Sequence, residues 1–362
     1  MAKLGEICLI NPKSCTLRDD TEVSFIPMTK VGEHGEFDAS EIKNYSEVKK
    51  GFTNFQNGDI LFAKITPCME NGKGAIAHNM KNGIGFGSTE FHVLRPDTDK
   101  ITREWLYYLT TWKTFRKEAE RNMTGSAGQK RVPKTFLENY VVNLPDIDTQ
   151  KSENKILRKV DDLISLCKQQ LAKLDELVKA RFVEMFGDPI RNDKHFVQKT
   201  GKSLFCFSSG KFLQEKKRFQ HGFPVYGGNG ITWYTDIPLV KKPTIIIGRV
   251  GAYCGNVRMV NVPVWITDNA IYIKEFKTRE LNLHFLLMLM KYMKFSNYAD
   301  YSGQPKITQK PLETLIYIVP PLELQNRFAA FVERVDQQKQ TVQQSLEKLE
   351  LMKKALMQEY FG

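Results

Sequence analysis

Residues 325–362 read QNRFAAFVERVDQQKQTVQQSLEKLELMKKALMQEYFG, and residues 150–187 read QKSENKILRKVDDLISLCKQQLAKLDELVKARFVEMFG. Position 150 aligns with position 325, and the alignment extends back without a gap to positions 128 and 303. Identical residues recur along its whole length, from Gly128 opposite Gly303 to Gly187 opposite Gly362. A long match at a fixed offset predicts an internal duplication, with one globular unit before each stretch.

Both stretches place apolar residues at alternating spacings of three and four. This heptad pattern predicts two helices that pack along an apolar seam. Pro145 and acidic residues precede the first helix, Gly187 ends it, and Lys339 and Lys353 interrupt the second seam. The predicted seam residues are Leu157, Val160, Ile164, Cys167, Leu171, Leu174 and Val178 in the first helix, and Val332, Val335, Val342, Leu346, Leu349 and Leu356 in the second.

A single apolar stripe is also typical of a helix that packs on its own domain. Two stripes of equal length, one after each repeated unit, instead favour packing of the two helices against each other. Because each helix leaves its unit in the same way, antiparallel pairing would give a pseudo-two-fold axis. A helix of this length would span roughly 55 Å at ~1.5 Å per residue, which suits a spacer. We therefore expect an α+β protein with two strand-rich domains separated by a coiled-coil spacer, divided as 1–147 (domain), 148–187 (helix), 188–321 (domain) and 322–362 (helix).

Each repeated unit ends in a loop that combines glycine, serine, glutamine and a cation. Glycine lets the backbone approach a phosphate, cations neutralise it, and glutamine can pair with adenine in the major groove. Such a loop can also be a simple turn, but its recurrence at the same point of both units favours a ligand. The candidate DNA-binding residues are Ser126, Gln129, Lys130 and Arg131 in the first loop, and Ser302, Gln304 and Lys306 in the second.

Further cations follow strand-like segments or precede glycine-rich ones. Segment 59–64 resembles segment 244–249, so the chain places Lys64 and Arg249 at equivalent strand ends. These cations are either solvated or directed at a ligand, and Arg249 has Asp268 as a possible neighbour. The remaining candidates for DNA contact lie in or beside glycine-rich, aromatic segments, where basic residues interleaved with aromatics are typical of nucleic-acid surfaces; a solvated turn and a core role for the aromatics are the alternatives. They are Lys73, Lys216, Lys217, Arg218, Asn229 and Tyr253.

The net charge of +12 is concentrated in one segment. Residues 188–311 contain 19 basic and 8 acidic residues, whereas residues 1–150 contain 20 of each. This distribution favours a polyanion-binding second unit over a generally basic protein. The chain has no signal-peptide pattern, no apolar run of membrane-spanning length and six cysteines without a C-x-x-C pair. We therefore expect a cytoplasmic protein with no membrane contact and no metal site.

Motifs for catalysis and nucleotide binding are missing from the sequence. Thr200-Gly-Lys-Ser203 looks like the end of a P-loop, but Phe196 stands where that motif needs its first glycine. The chain has no G-x-G-x-x-G after a strand, no H-E-x-x-H, no G-x-S-x-G and no N-P-P-[YFW]. These absences favour a binding subunit over an enzyme.

The order of these parts is similar to the specificity (S) subunit of type I restriction–modification enzymes. The resemblance covers essentially the whole chain and rests on four segments: Leu4-Gly-Glu-Ile7, Tyr226-Gly-Gly-Asn-Gly230, Ser302-Gly-Gln304 and Pro320-Pro-Leu-Glu-Leu-Gln325. At the start of the first helix Leu144-Pro-Asp-Ile-Asp-Thr-Gln150 departs from the family's Pro-Pro-Leu pattern.

This resemblance implies two target-recognition domains that each read half of a bipartite double-stranded DNA sequence. It further implies that methylation (M) and restriction (R) subunits join this chain. S-adenosylmethionine and ATP would then be bound by those partners, with no cofactor on the chain itself. The alternative is a non-catalytic coiled-coil scaffold or adaptor that binds protein partners without DNA. A scaffold explains the seam, but it explains neither the duplicated basic loops nor the charge of the second unit.

Overall fold

The computed structural model describes residues 1–126 and 128–362, and the chain divides into two compact units. The first unit comprises residues 1–166 and 346–362, and the second comprises residues 167–345. Two helices of 40 residues each, the first long helix (Ile147–Phe186) and the second long helix (Leu322–Phe361), contribute residues to both units.

The first unit contains two four-stranded sheets and one two-stranded sheet. The central sheet is antiparallel throughout, in the order Cys8–Ile10, Phe91–Pro96, Ile60–Ala63, Gly74–Ile76. The outer sheet has the order Ile42–Asn44, Glu22–Ile26, Ile84–Gly87, Thr53–Gln56, with its middle pair parallel. Ala2–Lys3 pairs with Val141–Val142. The shorter helices are Leu4–Ile7, Tyr45–Val48, Arg103–Thr111, Lys113–Arg121 and Lys134–Asn139, with 3₁₀ turns at Met28–Lys30 and Lys81–Gly83.

The central strand Ile60–Ala63 is buried on both of its faces. Because side chains alternate along a strand, Ile60 and Phe62 enter a core that holds Trp105 of helix Arg103–Thr111. Leu61 and Ala63 enter the other core, which lies towards the outer sheet. The sequence of this strand is therefore a continuous apolar run, and a packed core lies on each of its faces.

The second unit repeats this topology with different loops. Its central sheet has the order Phe205–Ser209, Ala270–Phe276, Thr244–Gly248, Val257–Val260 and is again antiparallel. Its outer sheet has the order Gly230–Thr235, Phe223–Gly227, Trp265–Ile266, with one parallel pair. Val197–Thr200 pairs with Ile316–Val319. The shorter helices are Gly201–Leu204, Leu283–Tyr292 and Gln309–Thr314, with 3₁₀ turns at Glu215–Lys217, Gly251–Tyr253 and Phe295–Tyr298.

The internal duplication is confirmed by these element bounds. Helix Gln309–Thr314 follows helix Lys134–Asn139 at the same offset at which the second long helix follows the first. Both central sheets have the same strand order, and both outer sheets contain one parallel pair at the equivalent place.

Equivalent buried glutamines attach the start of each long helix to its unit. Gln150 donates from Nε2 to the carbonyl oxygens of Lys100 and Pro145 and accepts from the backbone N–H of Thr102, at 2.8–2.9 Å. In the second unit Gln325 is equally buried, and its side chain makes the matching three hydrogen bonds. Three bonds from one buried amide fix the direction in which each helix leaves its unit, because an unmade buried bond is costly.

The ends of the long helices also occupy equivalent places. Phe186 is fully buried in the core of the second unit, with its ring centroid 4.7 Å from that of Phe285. Phe361, at the end of the second helix, packs in the first unit with its centroid 4.7 Å from that of Trp105. Each helix therefore ends in an aromatic contact with the amphipathic helix of a repeated unit.

The two long helices run antiparallel, as the equivalent exit of each helix from its repeated unit predicts. Lys353 forms an ion pair with Asp161 in the first unit, and Lys339 forms one with Asp175 in the second. Within the second unit alone, Asp175 pairs with Lys339 and the later Phe186 contacts the earlier Phe328, so contacts advance along the first helix as they recede along the second. The two lysines that interrupt the predicted seam are each paired with an acid on the other helix.

The predicted seam residues are buried or half-buried. The buried ones are Leu157, Val160, Ile164, Val178, Val332, Val335, Val342 and Leu346. The half-buried ones are Cys167, Leu171, Leu174, Leu349 and Leu356. Near the end of the second helix the most buried side chain is that of Met357 rather than that of Leu356, because this last stretch packs in the core of the first unit.

Candidate nucleic-acid interface

In the first unit, backbone hydrogen bonds join the end of the central strand to the final loop. Lys64 follows strand Ile60–Ala63, and its carbonyl oxygen accepts from the N–H of Val132 at 2.9 Å. The N–H of Thr66 donates to the carbonyl of Lys130 at 3.0 Å, and the N–H of Lys64 donates to that of Glu90 at 2.9 Å. These bonds bring Lys64, Lys130 and Arg131 together.

The second unit repeats all three bonds. The carbonyl oxygen of Arg249 accepts from the N–H of Ile307 at 2.9 Å. The N–H of Gly251 donates to the carbonyl oxygen of Pro305, and the N–H of Arg249 donates to the carbonyl oxygen of Asn269, both at 2.9 Å. Arg249, Gln304 and Lys306 are therefore held in the frame that holds Lys64, Lys130 and Arg131 in the first unit. We call this arrangement of strand end and final loop the junction of each unit.

Two glycines make the junction of the second unit possible. A Cβ on Gly248 would lie 2.2 Å from the carbonyl oxygen of Tyr253, so no larger residue fits there without a backbone shift. Gly251 has a φ of +73°, which glycine adopts at little cost. The chain can thus turn sharply on both sides of Arg249, which leaves this cation at the end of a buried strand.

Polar residues surround the junction of the second unit. Asn229, Gln304 and Lys306, like Ser302, are exposed, and Tyr253 is 47% exposed. The guanidinium of Arg258 donates from Nη2 to the carbonyl oxygen of Asn229 at 2.8 Å and so holds that loop. Arg249 donates from Nη1 to the backbone carbonyl oxygen of Asp268 at 3.3 Å, which leaves most of its donors available.

The junction of the first unit contains an ion pair that the sequence did not predict. Arg131 donates from Nη2 to Oε1 of Glu90 at 2.7 Å and from Nε to Oε2 at 2.9 Å. Hydrogen bonds from Arg131 hold the pKa of the Glu90 carboxyl below its usual value. The alignment of segment 88–91 with segment 267–270 would have pointed to Glu90, because it places this acid opposite Asn269. Ser126, Gln129 and Lys130 are exposed in the same loop.

A groove of about 640 Å³ lies beside the first junction. Its lining includes Lys117 and Arg121 of helix Lys113–Arg121, together with Lys130, Glu70 and Glu120. The sequence did not predict these two helix cations, although their i, i+4 spacing places them on one face. The groove therefore extends the charged surface of the loop.

Two further predicted DNA-binding cations, Lys73 and Arg218, are also engaged within the fold. Lys73 donates from its ammonium to the carbonyl oxygen of Met28 at 3.1 Å. Arg218 donates to the carbonyl of Leu213 at 3.1 Å, and its guanidinium carbon lies 5.9 Å from the ring centroid of Trp233. Lys216 is exposed, and Lys217 is half-exposed. Arg218 is thus held against the outer sheet of the second unit.

The two units contain nearly the same number of cations but very different numbers of acids. The first unit has 27 basic and 26 acidic residues, and the second has 26 basic and 15 acidic residues. The first unit pairs many of its cations, as in the contacts of Asp59 with Arg95 and of Glu90 with Arg131. The excess positive charge of the second unit therefore arises from its smaller number of acidic residues.

His92 lies beneath the first junction and predicts a dependence of stability on pH. It is buried, its Nε2 lies 2.7 Å from the carbonyl oxygen of Val132, and burial lowers its pKa from 6.5. As the pH falls below about 6.5, the unfolded chain gains a proton that the folded chain resists, so the first unit loses stability. We expect His92→Gln to flatten this dependence between about pH 7 and 5 in thermal unfolding. His34→Gln, which changes an exposed histidine of the same unit, is the control; equal slopes for both variants would contradict the assignment.

Across residues 1–126 and 128–362, no helix is both long and apolar enough to cross a membrane. In the same residues, no three histidine, cysteine, aspartate or glutamate side chains are grouped so that they could hold a metal ion.

Comparison with known proteins gives one family for most of the chain. A family model described as "Type I restriction modification DNA specificity domain" matches residues 1–176 and 196–351. The type I restriction enzyme EcoAI specificity subunit of Escherichia coli is 47% identical over 179 residues, which are 48% of this chain and 30% of that protein. The EcoEI specificity subunit of the same species is 41% identical over 179 residues, 48% of this chain and 29% of that protein. The chain therefore matches under a third of the length of these relatives.

More distant relatives match over longer stretches. The putative type I restriction enzyme MjaX specificity subunit of Methanocaldococcus jannaschii is 26% identical, over 92% of this chain and 83% of that protein. The crystal structure of a type I restriction–modification S subunit from M. genitalium has a TM-score of 0.65 at 18% identity and covers 100% of this chain and 95% of that chain. This last comparison shows a shared fold.

Proposed function

The chain belongs to the type I restriction–modification DNA specificity family, and on that premise we propose that it reads a bipartite DNA sequence. In this proposal each repeated unit contacts one half of the target through its junction. The duplicated frame carries the argument, because it presents exposed polar side chains and cations from two units that share one topology. A scaffold that bound only proteins would not need the same cation-bearing junction twice.

The junction residues have the chemistry that base reading requires. Arginine can donate two parallel hydrogen bonds to guanine O6 and N7, and asparagine or glutamine can pair with adenine. In the second unit we assign Arg249, Asn229 and Gln304 to base edges. Lys306, Lys216 and Lys217 are assigned to phosphates, which position the protein without reading sequence.

The two units would contribute unequally to the DNA affinity. With 15 acidic residues against 26 in the first unit, the second unit repels phosphates less and has fewer acids that compete with phosphates for its cations. It would therefore supply most of the salt-dependent affinity. The nearly neutral first unit would contribute chiefly through directed contacts, with less dependence on ionic strength.

The partners in this proposal are methylation and restriction subunits. The relatives described above are named specificity subunits of type I restriction enzymes, and we extend that role to this chain. The chain would then be non-catalytic, with S-adenosylmethionine and ATP bound by its partners. Calorimetric titration of the purified chain with either ligand should give no micromolar binding.

The proposal is tested by selecting binding sites from randomised duplex DNA with the full-length chain, alone and together with its partner subunits. We expect a consensus with two specified parts separated by unspecified base pairs, and affinity that falls steeply as salt rises. Retention of protein partners with no DNA binding at low salt would contradict the proposal and favour the scaffold. A DNA affinity without any preferred sequence would contradict it as well.

A further inference from the structure

The two junctions contain the same pair of cation types in exchanged positions. In the first unit the strand end carries Lys64 and the loop carries Arg131, whereas in the second unit the strand end carries Arg249 and the loop carries Lys306. These positions are equivalent, because isolated β-bridges join Ile65 with Arg131 and Val250 with Lys306. Each unit therefore has one arginine at its junction, but in a different place.

The guanidinium of Arg131 is held on two sides and free on the rest. Nε and Nη2 donate to the carboxylate of Glu90, and Nη1 donates to the carbonyl oxygen of Gln129 at 3.1 Å. A guanidinium has five N–H groups, so one N–H remains on Nη1 and one on Nη2. The side chain is 42% exposed, so the group is partly open to a ligand.

Glu90 is itself held in place by hydrogen bonds of its backbone. Its backbone carbonyl accepts from the N–H of Lys64 at 2.9 Å, and its N–H donates to Oγ of Ser88 at 3.2 Å. The side chain is only 24% exposed. The acid is thus attached to the strand end that Arg131 also pairs with, and it limits the rotamers that the arginine can adopt. A preorganised donor pair loses less entropy when it binds.

We propose that Glu90 is a positioning residue for base recognition, which holds Arg131 so that its two free N–H groups read a guanine in the half-site of the first unit. This inference rests on the proposed DNA-binding function. In the second unit the position equivalent to Glu90 carries Asn269. The arginine of that junction is Arg249, which lies at the strand end instead of in the loop. The exchange makes the two half-sites differ in where they prefer guanine.

Removal of the Glu90 charge separates positioning from simple electrostatics, because electrostatics predicts a change in overall affinity and positioning predicts a change in base preference. An acid beside DNA repels phosphates, so its loss alone should tighten binding to every sequence. If Glu90 positions Arg131, its loss should instead weaken the preference for guanine at one position. A directed bidentate contact contributes a discrimination of about five- to 150-fold.

The test compares Glu90→Gln and Arg131→Lys with the unchanged full-length chain in the selection experiment. Arg131→Lys keeps the charge but loses the paired donors. We expect both variants to lose about tenfold or more of the preference for one guanine, while the other half-site keeps its consensus. The control Glu22→Gln removes the acid of the exposed Glu22–Lys81 pair and should leave both half-sites unchanged.

The outcomes distinguish this inference from the proposed function. If Glu90→Gln binds all sequences more tightly and keeps its consensus, Glu90 only neutralises charge and the inference is wrong. If Arg131→Lys keeps the same guanine preference, Arg131 does not read that base, which also overturns it. In either case a bipartite consensus for the unchanged chain would leave the proposed function standing, whereas the absence of any consensus would overturn both.

Discussion

Replacing Phe186 with alanine is expected to lower the free energy of unfolding of the second unit by about 3–5 kcal/mol. The ring is fully buried, and its centroid lies 4.7 Å from that of Phe285 and 5.6 Å from that of Phe328. The variant would leave a cavity where the first long helix enters this core, and packed aromatic rings cannot close around it. Unfolding in denaturant, followed by circular dichroism, measures the loss.

Two further variants make this prediction specific. Val183→Ala changes a residue on the same helix that is 44% exposed, and its effect should stay below about 1 kcal/mol. Phe361→Ala changes the equivalent ring in the first unit, which is only partly buried, so its cost should lie between the other two. If Phe186→Ala is no more destabilising than Val183→Ala, the helix end does not contribute to the core as the structure shows.

The second large effect is expected for DNA recognition by the second unit. Arg249→Ala should remove about 1–3 kcal/mol of base discrimination in one half-site, because this arginine leaves the strand end with most of its N–H groups available. The other half-site should keep its consensus, since the proposal assigns that half to the first unit. Site selection followed by competition between single-base variants of the target measures both values.

Arg279→Ala is the matched control, because it removes the same charge from an exposed position of the same unit. It should weaken all sequences similarly and reduce the salt dependence slightly, without altering the consensus. Identical consensus sequences for Arg249→Ala and the unchanged chain would remove Arg249 from the set of base-reading residues. A loss of preference in both half-sites would contradict the assignment of each half-site to one unit.

The parts of the fold with strong local patterns were predictable from sequence. The heptads and the constant offset between the repeats predict two equal helices, and the helices observed are Ile147–Phe186 and Leu322–Phe361. The role of the glutamine pair was not predictable. Gln150 and Gln325 are visible as an identity in the alignment, but only tertiary structure shows that both amides are buried and fully bonded.

The order of the strands in each sheet could not be predicted from the sequence, for a physical reason. Strands Glu22–Ile26 and Ile84–Gly87 are far apart in the chain yet pair in parallel, and apolar runs alone do not specify their neighbours. The alignment did predict that Lys64 and Arg249 occupy equivalent strand ends, and the same backbone bonds hold both residues.

Side-chain partners explain why site prediction is less complete than fold prediction. A lysine in a glycine-rich loop reads as a free cation, but the ammonium of Lys73 bonds to the carbonyl of Met28. The sequence likewise suggests that Arg131 is a free cation. In the structure it pairs with Glu90, which is 41 residues away in sequence and lies at a neighbouring strand end. Such contacts depend on the packing of distant segments, so composition and spacing do not reveal them.

The central claim is that each repeated unit reads one half of a bipartite DNA target. It is tested most directly by site selection with this chain and the proposed methylation and restriction subunits, comparing the unchanged protein with Arg131→Lys and Arg249→Lys. The account predicts a two-part consensus in which each variant relaxes a different half and leaves the other intact. A continuous consensus, or two variants that alter the same half, would contradict it.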